Sequence, residues 1–241
     1  MNATLGFRPL YAQVKDLLVQ RLASGVWKPG EALPSEFSLA AELKVSQGTV
    51  RKALDELAAQ NLVVRQQGKG TFVARHTPQR ALFHFFHLVG DDGARALPSH
   101  RVLALRNARA TKAQAERLKL AAGTPVIALK RIRLLGGRPA IFERIVLPGS
   151  LFPGLVERVV DKLPNEVYRF YEEKYGVTVA RAVERLKAVA ATPEEAKALG
   201  LRAGAPLLEI DRTAYGLDGR PVELRLSRCD TARHHYLSEI T

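Results

Sequence analysis

Hydrophobic residues recur at helical spacing in three segments near the start of the chain. Within residues 9–24 they form one stripe, made of Leu10, Val14, Leu17, Leu18 and Leu22. Ser35 can cap a second helix, whose apolar positions are Phe37, Leu39, Ala40 and Leu43. Ser46 can cap a third helix, which runs to about Gln60 and buries Val50, Ala53, Leu54 and Leu57. The pattern therefore predicts three helices joined by short links.

A β-hairpin is predicted directly after the third helix. The stretches "LVVR" (62–65) and "TFVA" (71–74) flank "QQGKG", which is typical of two strands joined by a glycine turn. Asn61 precedes the hairpin, where a residue that tolerates the left-handed conformation can end a helix. Three helices and a hairpin in this order indicate a winged helix-turn-helix domain over residues 1–75. Residues 76–82 lack periodicity and are predicted to be a linker.

The rest of the chain, residues 83–241, contains an internal repeat. The stretch "TKAQAERLKLAAGTPVIALKRIR" (111–133) aligns with "TPEEAKALGLRAGAPLLEIDRTA" (192–214), and the alignment matches Arg131 with Arg212. Each aligned stretch opens with a capping box, which begins a short helix. Together with the residues on either side, each unit is predicted to contain a strand, the short helix, a strand, a glycine turn and a final strand. We expect an α+β domain, in which helices cover an antiparallel sheet on one side.

Composition and charge narrow the class of protein. The formal net charge of +13 favours a polyanionic partner, but residues 1–75 contribute +4 and residues 76–241 contribute +9. The total charge therefore does not locate the contact. Cys229 is the single cysteine, which excludes an intramolecular disulfide framework and fits a reducing compartment. No apolar run resembles a signal peptide or a membrane-spanning helix, so we expect a cytoplasmic protein.

The exposed side of the third helix carries side chains that suit DNA. Arg51 can bind guanine O6 and N7 or a phosphate, and Gln47 can pair with adenine. Acidic residues follow only at Asp55 and Glu56, so the N-terminal end of the helix is expected to meet DNA. In the hairpin, Lys69 stands between two glycines and can reach the minor groove. The residues expected to contact DNA are Ser35, Ser46, Gln47, Gly48, Thr49, Arg51, Lys52, Gly68, Lys69 and Gly70.

Two arginines mark a candidate ligand site in the second half. In "TPVIALKRIRLL", strand alternation puts Arg131 and Arg133 on one otherwise apolar face, where they repel each other. Glu143 on the returning strand could neutralise one of them, and a bound carboxylate or phosphate could neutralise the other. The alternative is a solvated ion-pair ladder of Arg133, Glu143 and Arg225.

Motifs for catalysis are missing from the sequence. The histidines lack metal-ligand spacing, and neither G-x-S-x-G nor a phosphate-binding glycine loop occurs. Cys229 has no neighbouring motif that marks a nucleophile. We therefore predict that the chain is not an enzyme and uses neither a cofactor nor a metal.

Several stretches resemble known bacterial proteins. "LYAQV", "PGEALPSEFSLA", "VSQGTVRKALDEL" and "GKGTFV" resemble the N-terminal domain of GntR-family transcription regulators, although Gln47 stands where that family usually has arginine. "PVIALKRIRLLGGRPAIFER" and "DGRPVELRLSRCD" resemble the UTRA effector domain of the HutC subfamily, which is similar in fold to chorismate lyase. The resemblance implies an effector pocket lined by the positions Phe86, His87, Arg131, Arg133, Glu143 and Glu223.

We expect a ligand-responsive transcription regulator that binds double-stranded operator DNA. Regulators of this kind are most often repressors, so we expect a repressor. A homodimer would read an inverted repeat, because one winged helix reads too few base pairs to be selective. A small anionic effector, an organic acid or a sugar phosphate, would release it from DNA. Two alternatives stay open: an enzyme of lyase-like fold fused to a DNA-binding domain, and a ligand-free architectural DNA-binding protein.

Overall fold

The structure is a computed structural model that describes residues 8–75, 86–93, 98–159 and 163–238. The chain divides into two compact units, Met1–Arg75 and His76–Thr241. The predicted linker, residues 76–82, lies outside the described residues. No helix within the described ranges has the length and apolar character needed to cross a lipid bilayer.

The first unit consists of three helices followed by a hairpin. Helix α1 spans Leu10–Ala23, α2 spans Glu36–Leu43 and α3 spans Gln47–Ala59, and the hairpin strands are β1 (Val63–Gln66) and β2 (Gly70–Val73). The hydroxyl oxygens of Ser35 and Ser46 each accept a hydrogen bond of 3.1 Å from a backbone N–H in the first turn of α2 and α3. Asn61 adopts the left-handed conformation between α3 and β1. The predicted winged helix-turn-helix is confirmed.

The core of the first unit is built from the predicted apolar stripes, with two exceptions, because Leu10 of α1 is 51% exposed and Phe37 of α2 is also exposed. Helix α3 buries Val50, Ala53, Leu54 and Leu57, and α1 buries Val14, Leu18 and Leu22. Phe37 was predicted to be an apolar position of α2 that faces this core, and that prediction is wrong, because its exposed fraction is 74%. The buried residues of α2 are Leu39 and Ala40. Phe37 lies roughly a third of a turn from their stripe and therefore faces solvent.

The second unit is built on a six-stranded antiparallel sheet and a separate two-stranded ribbon. In spatial order the sheet contains β4 (Ser99–Arg109), β5 (Pro125–Leu135), β6 (Arg138–Pro148), β9 (Pro221–Cys229), β8 (Pro206–Gly216) and β7 (Val179–Ala190). In the ribbon, β3 (Leu88–Gly90) pairs with β10 (His234–Tyr236). The order of the sheet strands reflects the internal repeat, because the last strands of the two copies, β6 and β9, lie side by side at its centre.

Helices lie on both faces of the sheet, so the predicted cover on one side is wrong. The helices are α4 (Lys112–Leu118), α5 (Leu155–Val159), α6 (Val167–Tyr175) and α7 (Pro193–Leu199), and the predicted capping boxes begin α4 and α7 at Thr111 and Thr192. Val126 of β5 belongs to the same hydrophobic cluster as Leu118 of α4, whereas the next residue, Ile127, belongs to a different cluster with Leu155 and Tyr171. Because successive residues of a strand face opposite sides, both sides of β5 need a covering layer.

Candidate DNA-binding surface and effector site

The start of α3 and the hairpin form one exposed surface on the first unit. A groove of about 720 Å³ separates the hairpin from the start of α2 and α3, and Ser35, Gln47 and Lys69 line it. The predicted DNA-contacting residues that are exposed are Ser35, Ser46, Gln47, Gly48, Arg51, Lys52, Gly68, Lys69 and Gly70, while Thr49 is partly buried. Gly68 and Gly70 have positive φ angles that favour glycine. The structure thus brings residues from three elements to one surface.

Arg51 is held by an acidic partner that sequence reasoning missed. Its Nε donates a hydrogen bond of 2.9 Å to Glu36, and Nη1 of Arg65 donates one of the same length to the other carboxylate oxygen. Burial opposes the ionised form of Glu36, but hydrogen bonds from both arginines lower its pKa. The bond through Nε fixes the stem of Arg51 and leaves both Nη groups for a base or a phosphate. No local motif predicts this pairing, because the partners lie 15 residues apart in different helices.

The side chain of Lys52 contacts helix α1 of the same unit. Its ammonium nitrogen lies 4.0 Å from the centre of the Tyr11 ring, which is a cation–π contact with α1. Lys52 therefore belongs to the side of α3 that packs near α1, while Gln47 belongs to the side that borders the hairpin groove.

We expect Arg51→Ala to weaken binding to the preferred operator by roughly 1–3 kcal/mol and to relax the base preference at one position. This result is expected if Arg51 binds guanine O6 and N7 rather than a phosphate, because alanine then removes both hydrogen bonds of that contact. Lys69→Ala is the matched control, because loss of a phosphate contact weakens all sequences equally and lowers the salt slope by about 1. Fluorescence anisotropy at several salt concentrations measures both effects. Unchanged operator affinity in Arg51→Ala would contradict the assignment of α3 as the helix that reads DNA.

We expect Gln47→Arg to shift the preferred half-site toward guanine at one base pair. Arginine matches guanine O6 and N7, whereas glutamine matches adenine N6 and N7. In vitro selection from a random duplex library, run in parallel with the wild type and the variant, measures the preference. Recovery of the same half-site by both proteins would mean that this side chain does not contact a base.

A cluster of charged side chains lies in the middle of the sheet of the second unit. Its members are buried or largely buried: Arg131, Arg133, Arg212, Arg225, Glu143, Glu184 and Glu223. Arg131 and Glu143 face each other on β5 and β6, and Nε of Arg131 donates a hydrogen bond of 2.6 Å to the carboxylate. Arg225 binds Glu223 through two hydrogen bonds of 2.9 and 2.8 Å. Among the described residues of this cluster, arginines outnumber glutamates by one.

The alternative predicted from the sequence was a solvated ion-pair ladder of Arg133, Glu143 and Arg225. Glu143 has an exposed fraction of 2% and contacts three guanidinium groups, those of Arg131, Arg133 and Arg225. Burial alone would raise the pKa of Glu143, but the three arginines together hold it well below its usual range. The ion pairs are therefore buried, and the carboxylate stays ionised in the folded state.

A small cavity adjoins the cluster. Its volume is about 20 Å³, close to that of one water molecule. Four of the predicted pocket residues line it, namely Phe86, His87, Arg133 and Glu143. Eight residues that were not predicted for the pocket also line the cavity: Leu88, Ile141, Ile210, Arg212, Arg225, Ser227, Cys229 and Tyr236. The internal repeat could have identified Arg212, because it occupies the position that matches Arg131.

The other two predicted pocket residues, Arg131 and Glu223, are not among those that line this cavity. Both are fully buried. Glu223 accepts hydrogen bonds from the hydroxyl groups of Tyr168 and Tyr171 on α6, at 2.9 and 3.0 Å. This carboxylate therefore joins helix α6 to the sheet.

Some buried N–H groups of the cluster lack an acceptor. Within the described part of the chain, Nη1 and Nη2 of Arg131 and Nε of Arg133 have no hydrogen-bond partner. The guanidinium carbon of Arg133 lies 5.0 Å from the centre of the Phe86 ring, and its Nη1 lies 3.8 Å from Glu143. Burial lowers the pKa of Arg133 to about 9 despite the attraction of Glu143. Donors of this kind are costly without an acceptor, so the site is suited to an anionic ligand.

No cluster of three or more histidine, cysteine, aspartate or glutamate side chains in the described ranges could hold a metal ion. The thiol of Cys229 lies among apolar residues, and burial raises its pKa above the usual range. This environment is typical of an unreactive cysteine.

The two units match two known families. The sequence profile of bacterial regulatory proteins of the gntR family matches residues 10–73, and that of the UTRA domain matches residues 94–235. The uncharacterized HTH-type transcriptional regulator YurK of Bacillus subtilis is 33% identical over 93% of each chain. The mannosyl-D-glycerate transport/metabolism system repressor MngR of Escherichia coli is 31% identical, over 91% of this chain and 90% of that protein.

A solved structure also resembles the second unit. It is the ligand-binding domain of a protein assigned to the GntR family of transcriptional regulators in Bordetella bronchiseptica. The TM-score is 0.60 at 34% identity, and the match covers 66% of this chain and 99% of that one. The matches to both units confirm the resemblance that the sequence motifs indicated.

Proposed function

Because this chain belongs to the GntR family of bacterial regulatory proteins and carries a UTRA domain, we propose that it is a dimeric cytoplasmic repressor released from its operator by a small anionic metabolite. The first unit binds an inverted repeat through the start of α3 and the hairpin, one half-site for each protomer. The second unit binds the metabolite beside the charged cluster of the sheet. Its occupancy changes the relative placement of the two DNA-binding domains and so lowers operator affinity.

The main support for an anionic ligand is the buried Nε–H of Arg133, which lines the cavity and has no acceptor within the described part of the chain. An organic carboxylate or a phosphate would accept hydrogen bonds from Arg133, and its charge would balance the excess of arginine over glutamate. The name of MngR mentions mannosyl-D-glycerate, and glycerate is a carboxylate, which supports this class of ligand. Phe86 and Tyr236 add an aromatic surface to the same cavity.

Entry of such a ligand requires the cavity to enlarge, because 20 Å³ holds about one water molecule. The ribbon of β3 and β10 supplies Leu88 and Tyr236 to the cavity wall. This ribbon pairs over only three residues on each strand, so it is the part of the wall that can move at the lowest cost.

Thermal unfolding of the wild type with a panel of metabolites tests the proposal. A ligand that binds the folded state raises the Tm by mass action, and the rise grows with the logarithm of its concentration once that concentration exceeds the Kd. We expect organic acids or sugar phosphates to include such a ligand and their neutral counterparts to have no effect. An architectural DNA-binding protein would show no shift with any compound, and an enzyme would convert the compound that it binds.

A further inference from the structure

Phe37 is an exposed aromatic side chain on the candidate DNA-binding surface. Among the described residues it has the largest exposed fraction of any large hydrophobic side chain, 74%. It is the second residue of α2, and it lines the groove that Gln47, Lys69 and Arg65 also line. A single exposed phenylalanine is common on protein surfaces, but this one lies on the surface assigned to operator contact.

Apart from Leu33 and Pro34, the other side chains that line the groove are mostly polar or charged. They include Ser35, Gln66 and Gln67, which can donate and accept hydrogen bonds, as well as two cations. The side chain of Phe37 carries no charge and neither donates nor accepts hydrogen bonds as those groups do, so its contribution to binding must come from apolar contact. In the major groove of B-DNA, the C5 methyl group of thymine is the base substituent that offers such a contact, and phenylalanine is among the side chains that use it.

Phe37 lies near the end of α3 that is expected to enter the major groove. The recognition helix enters that groove with its N-terminal residues, and here the first residue of α3 is Gln47. Phe37 and Gln47 line the same groove of the protein, so we expect the two side chains to meet neighbouring base pairs. Ser35 caps α2 just before Phe37 and fixes the first turn that carries the ring.

We propose that Phe37 is a specificity-determining residue, which packs against the C5 methyl group of a thymine beside the base pair that Gln47 contacts. This inference rests on the proposed DNA-binding surface. It adds apolar recognition of one thymine to a surface that otherwise reads DNA through hydrogen bonds and charge.

Replacement of thymine by uracil tests the contact, because uracil lacks only the methyl group and keeps every hydrogen-bonding atom of the base edge. The probe is a fluorescein-labelled duplex with the operator that the wild type selects from a random library. Each thymine is replaced by deoxyuridine in turn, and the wild type, Phe37→Ala and Phe37→Leu are titrated on every duplex. Arg51→Ala is the control for loss of a different contact, and circular dichroism checks that each variant is folded.

For the wild type we expect one thymine in each half-site at which uracil weakens binding about fourfold, the effect of one buried methyl group. Phe37→Ala should lose this sensitivity, and Phe37→Leu should keep part of it. Arg51→Ala should bind more weakly but retain the full effect of uracil. This pattern would locate the methyl contact at Phe37.

Three results would overturn the inference while leaving the DNA-binding surface in place. One is an equal effect of uracil in the wild type and Phe37→Ala, and another is no effect of uracil at any thymine in the wild type. The third is a uniform loss of affinity in Phe37→Ala, independent of uracil, which would assign the ring to the sugar–phosphate backbone. A wild type that selects no sequence at all would overturn both the inference and the proposed function.

Discussion

Replacing Glu143 with alanine is expected to lower the free energy of unfolding of the second unit by about 3–5 kcal/mol. The carboxylate contacts Arg131, Arg133 and Arg225, and all four side chains are buried. Its removal leaves three cations close together without their shared anion, and their mutual repulsion is then uncompensated in a region of low dielectric constant. Glu143→Gln keeps the shape but not the charge, so it should also be strongly destabilised.

Urea unfolding, combined with hydrogen exchange of the β5 and β6 amides, measures this loss and assigns it to the second unit. Glu173→Ala is the matched control, because Glu173 pairs with Arg169 on an exposed side of α6. An exposed pair of this kind contributes little. If Glu143→Ala cost no more than Glu173→Ala, the buried cluster would not contribute to stability.

The cost of losing Glu143 should also depend on pH. Since the arginines lower the pKa of this carboxyl group in the folded state, its contribution is fully present above the pKa of an unfolded glutamate, about 4.3. The contribution is lost as the pH falls toward the folded-state pKa. The difference in stability between the wild type and Glu143→Gln should therefore be constant near neutral pH and shrink in acid.

Arg133→Ala is expected to weaken effector binding by about 1.5–3 kcal/mol, the usual range for a hydrogen bond to a charged group. Arg133 lines the cavity, and its Nε has no acceptor within the described part of the chain. Arg133→Lys should restore only part of the affinity, because an ammonium group cannot reproduce the planar fork of a guanidinium. The fold should tolerate both changes, since Glu143 still contacts Arg131 and Arg225.

Calorimetric titration with the metabolite that raises the Tm of the wild type measures the change in affinity. Arg220→Ala is the matched control, because this arginine is 84% exposed in the turn between β8 and β9. Operator affinity without effector should stay near wild type in every variant, because the change lies in the other unit. Equal effector affinity in Arg133→Ala and Arg220→Ala would mean that the effector binds elsewhere.

Much of the fold follows from patterns that are local in the sequence. The caps at Ser35 and Ser46 and the boxes at Thr111 and Thr192 depend on residues three positions apart, so a short stretch contains both partners. The pair of Arg131 and Glu143 was predicted for a similar reason. It joins adjacent strands of one hairpin, and strand alternation defines which side chains share a face.

The features that could not be predicted depend on residues far apart in the chain. The bond between Arg51 and Glu36 joins two helices, and Glu223 receives its hydrogen bonds from α6, more than 50 residues earlier. The layer on each face of the sheet depends on how α4 to α7 pack, and helical spacing alone does not contain that information. Phe37 shows the same limit, because an apolar residue near a helix start fits both a core and a binding surface.

Operator release by an anionic metabolite tests most directly whether the second unit controls DNA binding by the first. The measurement is the anisotropy of a labelled operator duplex with the wild type and Arg133→Ala, over a range of metabolite concentrations. We predict that the metabolite lowers the operator affinity of the wild type by about 5–150-fold, and that Arg133→Ala requires a much higher concentration for the same release. Control by the second unit would be contradicted if no anionic metabolite changed the operator affinity of the wild type, or if release occurred at the same concentration in both proteins.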